Sequence, residues 1–386
     1  MKITDLKTFI VDCYRTNWVF VKIETDEGIS GIGEGTLEYK EHALAGAIED
    51  QRRYLIGKDP TNIEEHYHNM YRDAYWRGGP VLMSAVSAIE MALWDISAKA
   101  LGVPVYRMLG GKVRDKVKIY VNGWFAGAKE PEEFAAAAKR AVERGIKAMK
   151  WDPFGKSYMN IDNEVFNKAI RNIAAVREAV GDEVDLLIEG HGRFDVPTGI
   201  KIAKAIEPFK PLFFEEPVPP DNLEALAAVR EKSPVAISAG ERLYGRRAFL
   251  ELFERRAADY IQPDISHAGG IMELKKIAAM AEAKYIPFAP HNPSGPVANA
   301  ATLQLAACCP NFEILEIMLT DVEWRKEITN ENLVLEDGCI RIPDLPGLGL
   351  ELNEECAAAH PYVPHDLRHY TGALTEIRPA KSIFYF

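Results

Sequence analysis

The chain has 386 residues, of which 47% are hydrophobic and 27% are charged, and this balance excludes an intrinsically disordered protein. There are 46 Lys and Arg residues against 57 Asp and Glu residues, so the net charge is −11. This charge argues against a nucleic-acid partner and against docking on an anionic membrane surface. At about 150 residues per domain, the length predicts two or three domains.

The sequence contains no uninterrupted run of about 18 apolar residues, so it predicts no membrane span. Residues 1–5 have no apolar core of the kind found in signal peptides and are typical of a first β-strand. The five cysteines form no Cys-x-x-Cys motif, so neither disulfides nor a zinc ribbon are expected. We therefore expect a cytoplasmic protein.

Residues 1–112 are predicted to form an α+β domain. Two β-type runs, at 18–24 and 29–34, flank Asp26-Glu27-Gly28, which is a hairpin signal. Apolar residues then recur every three or four positions between 82 and 96, and Gly102 follows. This pattern predicts an amphipathic helix that ends near Gly102.

From residue 117 onward, short apolar runs alternate with helical patterns such as 131–144, 165–180, 271–283 and 297–308. The eight runs are 117–121, 148–150, 186–189, 212–215, 235–238, 260–262, 286–289 and 312–316. Eight such repeats predict a (β/α)8 barrel over residues 113–319. The remaining segment, 320–386, is predicted to fold back over the first domain.

Three glutamates follow three consecutive predicted strands at equal steps. They are Glu189, Glu215 and Glu241, with 215 − 189 = 26 and 241 − 215 = 26. The carboxyl ends of barrel strands form the active-site face, so these side chains are expected to converge there. Single glutamates are usually surface or salt-bridge residues, but three converging carboxylates repel one another unless a cation lies between them. Oxygen-only ligands favour Mg²⁺. Spacing alone leaves open whether Glu215 or Glu216 is the second ligand.

The next strand ends carry an acid and a base. Asp264 follows the sixth run and His291 the seventh, with 264 − 241 = 23 and 291 − 264 = 27. A lone histidine is more often structural, but an aspartate on the neighbouring strand would orient the imidazole and raise its basicity. Glu316 ends the eighth run, and Lys150 ends the second.

His191 lies two residues beyond Glu189, so alternation along an extended chain would place it on the same side as that glutamate. Lys150 by itself is equally well read as a solvated side chain. Beside a metal and an anionic substrate, it fits an electrostatic role.

These residues lie in motifs that resemble the enolase superfamily, mandelate racemase subgroup, over essentially the whole chain. The motifs are Ile188-Glu189-Gly190-His191-Gly192-Arg193, Glu215-Glu216-Pro217, Gly240-Glu241-Arg242-Leu243, residues 262–270 and Ala289-Pro290-His291-Asn292-Pro293. Within the subgroup, the chain is most similar to sugar-acid dehydratases of the galactonate and gluconate type. That similarity is carried by Arg77-Gly78-Gly79-Pro80 and Lys150-Trp151-Asp152-Pro153-Phe154-Gly155.

The resemblance implies a modified (β/α)8 TIM-type barrel with an N-terminal α+β capping domain that the C-terminal tail completes. It implies that Glu215 is the second ligand and that Mg²⁺ is the cofactor, with Mn²⁺ as a possible substitute. It also implies that the first chemical step removes the proton on the carbon next to a substrate carboxylate. Enzymes of this superfamily are a standard example of a Lys or His base working with Mg²⁺. Relatives are often homo-oligomers, either dimers or octamers.

The reaction implied is dehydration of a small sugar acid to a 2-keto-3-deoxy acid. His291, paired with Asp264, would act as the base at C2, and His191 as the acid that protonates the leaving 3-hydroxyl. Lys150 and Glu316, the latter as a protonated donor, would offset the developing charge. Three further residues are expected to bind substrate: Asp152, Arg193 and Arg77. For Asp152, an interaction with Lys150 is the alternative, and for Arg193 a salt bridge in the barrel mouth.

Other reactions in the superfamily also begin with removal of the proton next to the substrate carboxylate. A racemase needs a base on each face of the substrate and carries Lys-x-Lys where this chain has Lys150 and Asp152. Elimination is therefore favoured over racemisation or epimerisation, while cycloisomerisation of a lactone or anhydro-sugar acid, which uses the same enediolate chemistry, is the nearest alternative. A non-catalytic scaffold is the alternative of another class, and it does not require three converging carboxylates. Galactonate, gluconate, a pentonate and a diacid such as galactarate all remain open as substrates.

Overall fold

The computed structural model describes residues 1–365 and 383–384. An antiparallel sheet comes first, with β2 in the middle, and its pairing of β2 with β3 confirms the predicted hairpin. Its strands are β1 (Ile3–Asp12), β2 (Asn17–Thr25) and β3 (Ser30–Glu34). The helices that follow are α1 (Glu41–Leu55), α2 (Ile63–His68), which continues as a π-helical turn (Asn69–Asp73), α3 (Gly79–Ala100) and α4 (Val105–Met108).

Helix α3 packs directly on the sheet and contains the predicted amphipathic helix. By length and composition α3 could cross a membrane, but 89% of its most apolar 18-residue window is buried inside the protein. Glycines in β3 let the helix approach, since a Cβ on Gly33 would lie 1.8 Å from the carbonyl oxygen of Ala88. This close contact makes the sheet and α3 one unit.

The barrel strands run parallel, each beside its successor, and the last pairs with the first to close the barrel. They are β4 (Lys116–Asn122), β5 (Ala148–Trp151), β6 (Asp185–Glu189), β7 (Phe213–Glu215), β8 (Ile237–Ala239), β9 (Tyr260–Ile261) and β10 (Leu315–Met318). The predicted strand at 286–289 is reduced to Phe288, which bridges Ile261 and Phe312. The predicted barrel is therefore confirmed, with one strand shortened.

A helix lies between each pair of consecutive barrel positions. These helices are α5 (Pro131–Glu143), α6 (Asn163–Val180), α7 (Val196–Ile206) with a 3₁₀ turn (Glu207–Phe209), α8 (Leu223–Lys232), α9 (Gly245–Glu254), α10 (Gly270–Glu282) and α11 (Pro296–Ala307). Their apolar faces join the main core. A separate buried cluster that includes Tyr120, Leu187 and Phe213 comes from alternate strand positions and fills the barrel.

The chain after β10 contacts both parts of the fold. Its elements are β11 (Thr320–Asp321), α12 (Arg325–Ile328), β12 (Leu335–Glu336), β13 (Cys339–Arg341), α13 (Glu354–Ala359) and β14 (Ile383–Phe384). β13 extends the barrel sheet beside β4, while α13 packs against β1 and the amide of Asp12 donates to the carbonyl of His360 at 2.9 Å. Of the predicted segment 320–386, residues 366–382 and 385–386 lie outside the described residues, and the domain boundaries stay predictions.

The contact between β3 and α3 gives a test of the packing. We expect Gly33→Ala to lower the midpoint of thermal unfolding sharply, because its Cβ would collide with a helix backbone; overpacking costs about 1–3 kcal/mol or more. The matched control is Gly46→Ala, on the exposed side of α1, where a Cβ meets nothing within 4 Å. That change should raise the midpoint slightly, since Ala favours a helix over Gly by about 1 kcal/mol. Equal midpoints for the two variants would contradict the packing.

Candidate active site

The three predicted glutamates meet at the carboxyl ends of neighbouring strands. Glu189 and Glu215 are the last residues of β6 and β7 and lie opposite each other in register. Glu241 comes two residues after the end of β8. One carboxylate oxygen from each of the three lies within 4.8 Å of the others. The equal spacing in the sequence thus corresponds to convergence in space.

This cluster is crowded with negative charge in a buried setting. Glu189 and Glu215 are 2% and 0% exposed. Burial raises the pKa of Glu189 to about 7, and burial together with the charge of Glu189 raises the pKa of Glu215 well above its ordinary value. Glu216 turns away and accepts a hydrogen bond from Nε of Arg242 at 2.9 Å. Three converging oxygen ligands that repel one another fit a hard divalent cation.

Lys150 supplies positive charge beside the cluster. Its Nζ donates to both carboxylate oxygens of Glu215, at 2.9 and 2.8 Å, and lies 3.2 Å from Glu189 Oε2 and from Glu316 Oε1. Burial alone would lower the pKa of Lys150, but attraction from Glu215 and Glu316 outweighs it and raises that pKa well above its ordinary value. Lys150 is therefore a fixed cation in the barrel mouth.

Glu316, the last predicted member of the charged group, is surrounded by donors. Besides Lys150, Asn122 Nδ2 donates to its Oε1 at 3.2 Å and the amide of Asn292 donates to its Oε2 at 3.1 Å. Burial opposes its charge, but Lys150 and His291 lower the pKa of Glu316 below its ordinary value. These donors favour the charged form of Glu316, and its expected role as a protonated donor stays a prediction.

The predicted pair of Asp264 and His291 is formed. His291 Nδ1 lies 2.7 Å from Asp264 Oδ2, and the amide of Ser266 donates to Asp264 Oδ1 at 2.7 Å. Nε2 of His291 is 3.4 Å from Glu241 Oε2, so the ring reaches the edge of the glutamate cluster. Burial would lower the pKa of His291, but Glu241 and Asp264 outweigh it and raise that pKa to about 10.

His191 lies at the other end of the cluster, where its backbone amide donates to Glu189 Oε1 at 2.6 Å. Its Nδ1 is 2.7 Å from Asp152 Oδ2. Nη2 of Arg193 donates to both oxygens of Asp152, at 2.8 and 2.7 Å. Burial would raise the pKa of Asp152, but Arg193 and then His191 outweigh it and lower that pKa. Asp152 is thus paired with these two residues and not with Lys150.

Arg193 and Arg77, the other two residues expected to bind substrate, do not point to that role in the structure. Arg193 is 1% exposed, and its Nη1 and Nε also donate, to the carbonyls of Gly155 at 2.6 Å and Gly190 at 3.1 Å. This arrangement favours the salt bridge in the wall of the site over contact with substrate. Arg77 is exposed on the loop before α3, with its guanidinium 5.9 Å from the centre of the Tyr71 ring, and it is not part of the cluster.

Two asparagines of the site were missed in the sequence. Asn122 is the last residue of β4, so the strand-end rule that picked out the glutamates would also have found it. Asn292 directly follows His291; its Nδ2 donates to the backbone oxygen of Glu316 at 3.1 Å and to Asn299 Oδ1 at 2.6 Å. Both residues fix the carboxylate of Glu316 in place.

The first domain is attached to the barrel mouth next to His291. Arg15 donates to the carbonyl of Pro293, two residues after His291, and contacts Glu38 Oε1 at 3.3 Å. Glu34 accepts hydrogen bonds from the amides of Gly295 at 2.6 Å and Ala298 at 2.9 Å, at the start of α11. The domain therefore covers the site and fixes the loop that carries His291.

Comparison with known proteins places this geometry in a family. Residues 6–110 match the mandelate racemase / muconate lactonizing enzyme N-terminal domain, and residues 133–356 match the enolase C-terminal domain-like family. A D-galactonate dehydratase from Variovorax paradoxus (strain S110) is 39% identical over 388 residues, which cover 97% of this chain and 100% of that protein. A D-gluconate dehydratase from Thermoproteus tenax is 36% identical over 351 residues, covering 90% of this chain and 71% of that protein.

Solved structures agree with this assignment. A member of the enolase superfamily from Salmonella Typhimurium has a TM-score of 0.89 and 34% sequence identity, and the match covers 93% of this chain and 98% of that one. The match therefore extends over both the first domain and the barrel. The chain belongs to the enolase superfamily and has the domain pair of mandelate racemase and muconate lactonizing enzyme.

Proposed function

We propose that this protein is a Mg²⁺-dependent sugar-acid dehydratase that converts an aldonate of the galactonate or gluconate type to a 2-keto-3-deoxy acid. One observation carries the proposal: two histidines, each hydrogen-bonded to a buried aspartate, lie at opposite ends of a cluster of three glutamates. The names of the relatives support the same reaction and substrate class.

The cation would be held by Glu189, Glu215 and Glu241. Members of the superfamily use a divalent metal, and an all-carboxylate donor set favours Mg²⁺, with Mn²⁺ as a substitute. When bound, the ion supplies positive charge next to the substrate carboxylate, which lowers the cost of removing the neighbouring proton. Lys150 adds a second, permanent positive charge at the same place.

His291 would take the C2 proton. Asp264 holds Nδ1, so Nε2 is the nitrogen that faces the glutamate cluster and the substrate. The proton moves from C2 to Nε2, and the electron pair of the C2–H bond stays on the substrate. Asp264 stabilises the positive charge that then forms on the imidazole ring.

His191 would complete the elimination. The electron pair left at C2 forms the C2–C3 double bond while the bond between C3 and its hydroxyl breaks. The departing oxygen takes a proton from His191 and leaves as water, and the enol product becomes the 2-keto-3-deoxy acid. One base and one acid suffice for this reaction, whereas racemisation would need a second base where Asp152 is already bound to His191 and Arg193.

The partner is thus a small sugar acid, and relatives act on small molecules of this kind. A homo-oligomer, either a dimer or an octamer, and a cytoplasmic location stay predictions.

A panel of sugar acids tests the proposed reaction. The purified protein with Mg²⁺ should convert at least one member of a panel that contains galactonate, gluconate, a pentonate and galactarate. Semicarbazide detects the 2-keto product as it forms. Addition of EDTA should abolish the signal, and excess Mg²⁺ should restore it, because the glutamates hold the ion. Epimers or a lactone as the only products would contradict the proposal.

Two histidine variants separate the two proton transfers. We expect His291→Asn to reduce both C2 hydrogen exchange in D₂O and dehydration by about 10²–10⁴-fold, because the base serves both. His191→Asn should reduce dehydration to a similar degree while C2 exchange persists, since the acid acts only when the hydroxyl leaves. Exchange is followed by proton NMR and dehydration by the keto product.

The control for these variants is His68→Asn, on α2, where the side chain is 42% exposed and the residue is distant in sequence from both site histidines. It should change neither exchange nor dehydration. Full dehydration by His191→Asn would show that another group is the acid.

A further inference from the structure

We propose that Asp152 is a positioning residue for His191 and that Arg193 anchors it, so that the site contains two histidine–aspartate dyads, one for each proton transfer. This inference rests on the proposed dehydration and assigns a role within it. It replaces the expected role of Asp152 and Arg193 as substrate ligands.

The two dyads share the same geometry. His191 Nδ1 lies 2.7 Å from Asp152 Oδ2, and His291 Nδ1 lies 2.7 Å from Asp264 Oδ2. Both aspartates are buried, with side-chain exposures of 6% and 1%. In each case Nδ1 faces the carboxylate, so the opposite ring nitrogen, Nε2, is directed away from it. An aspartate in this position fixes both the orientation and the tautomer of a histidine.

Asp152 has no acceptor position left for a sugar hydroxyl. A carboxylate offers about four lone-pair sites. One contact comes from His191, Arg193 Nη2 contacts both oxygens, and the amide of Phe154 donates to Oδ1 at 2.9 Å. These contacts fill the sites from inside the protein, so substrate binding would have to break one of them.

All three guanidinium nitrogens of Arg193 also donate to groups within the protein. Its remaining contacts are to the carbonyls of Gly155, which follows β5, and Gly190, which follows β6. The guanidinium therefore joins the two loops that carry Asp152 and His191. Burial of this charge is tolerated because the arginine is paired with a carboxylate and its other two nitrogens each donate to a carbonyl oxygen.

The backbone at His191 is consistent with a side chain held in place. His191 has a φ of 49°, in the left-handed region that non-glycine residues seldom adopt. It lies between Gly190 and Gly192, and a Cβ on Gly192 would come within 2.0 Å of Arg242 Nη2. Such a conformation persists where surrounding contacts fix it. Here the contacts are the hydrogen bond from the backbone amide of His191 to Glu189 and the hydrogen bond between its imidazole ring and Asp152.

Asp152→Asn tests the positioning role in the full-length protein with Mg²⁺ and the sugar acid that the wild type dehydrates. We expect dehydration to fall about 100-fold or more, because Asn presents an amide that no longer fixes the tautomer of His191. C2 exchange should stay within about threefold of the wild type, since His291 keeps its own aspartate. KM should also stay within about threefold, because Asp152 does not touch substrate.

Three further variants make the comparison specific. Asp264→Asn should lower C2 exchange and dehydration together, whereas Asp152→Asn should lower dehydration alone. In a double-mutant comparison, Asp152→Asn should cause no further loss in the His191→Asn background, because the aspartate acts only through that ring. Asp182→Asn, which is exposed, serves as the control and should leave both rates unchanged.

A spectroscopic signal tests the dyad apart from turnover. A strong hydrogen bond to Asp152 should give a downfield imidazole N–H proton in the NMR spectrum that disappears in both His191→Asn and Asp152→Asn and persists in Asp264→Asn. Asp152→Ser is the second variant if Asp152→Asn does not fold, with the same expectation. The proposal is overturned if Asp152→Asn keeps full dehydration, raises KM tenfold, or leaves the signal in place. Failure of the sugar-acid panel with this signal intact would instead overturn only the proposed function.

Discussion

Three glutamate side chains converge at the ends of β6, β7 and β8, and the repulsion between their charges determines what can surround them. Two of the three are buried, so water cannot screen that repulsion as it would at the surface. Lys150 contacts Glu189, Glu215 and Glu316 at once and offsets part of the charge. A divalent cation bound between the glutamates would offset the rest. Removal of a proton beside a carboxylate adds negative charge to the substrate, so the cation and Lys150, which stabilise the glutamates, would also favour the proposed chemistry.

The two histidines proposed to transfer protons are arranged around this charged centre. Each histidine is held by an aspartate on a neighbouring strand end, and each approaches a different glutamate of the cluster: His191 approaches Glu189, and His291 approaches Glu241. The first domain contributes by holding the loop after His291 through Arg15 and Glu34. The barrel thus supplies both histidine–aspartate pairs, while the first domain fixes the loop that follows His291.

The barrel, its closing strand and the convergence of the glutamates follow from the sequence because strand period and repeat length fix which residues end each strand. Asp264 and His291 were predictable for the same reason. The shortening of the strand at Phe288 was not, since an apolar run looks the same whether it forms one bridge or several. The partners of Asp152 were also not predictable, because strand-end position does not show to which neighbour a side chain turns. Similarly, only the donors around Glu316, which come from three separate parts of the chain, reveal that it accepts hydrogen bonds.

Glu189, Glu215 and Glu241 are proposed to bind one divalent ion, on which the rest of the chemistry depends. Anomalous diffraction from crystals grown with Mn²⁺ would locate this ion. We expect one anomalous peak per chain, with an oxygen of each of the three glutamates at roughly 2.1 Å, as is usual for a small hard cation. The peak should be lost in Glu215→Gln. If crystals grown in excess Mn²⁺ show no peak between these glutamates, or show the ion only at another place, the three glutamates do not form the metal site.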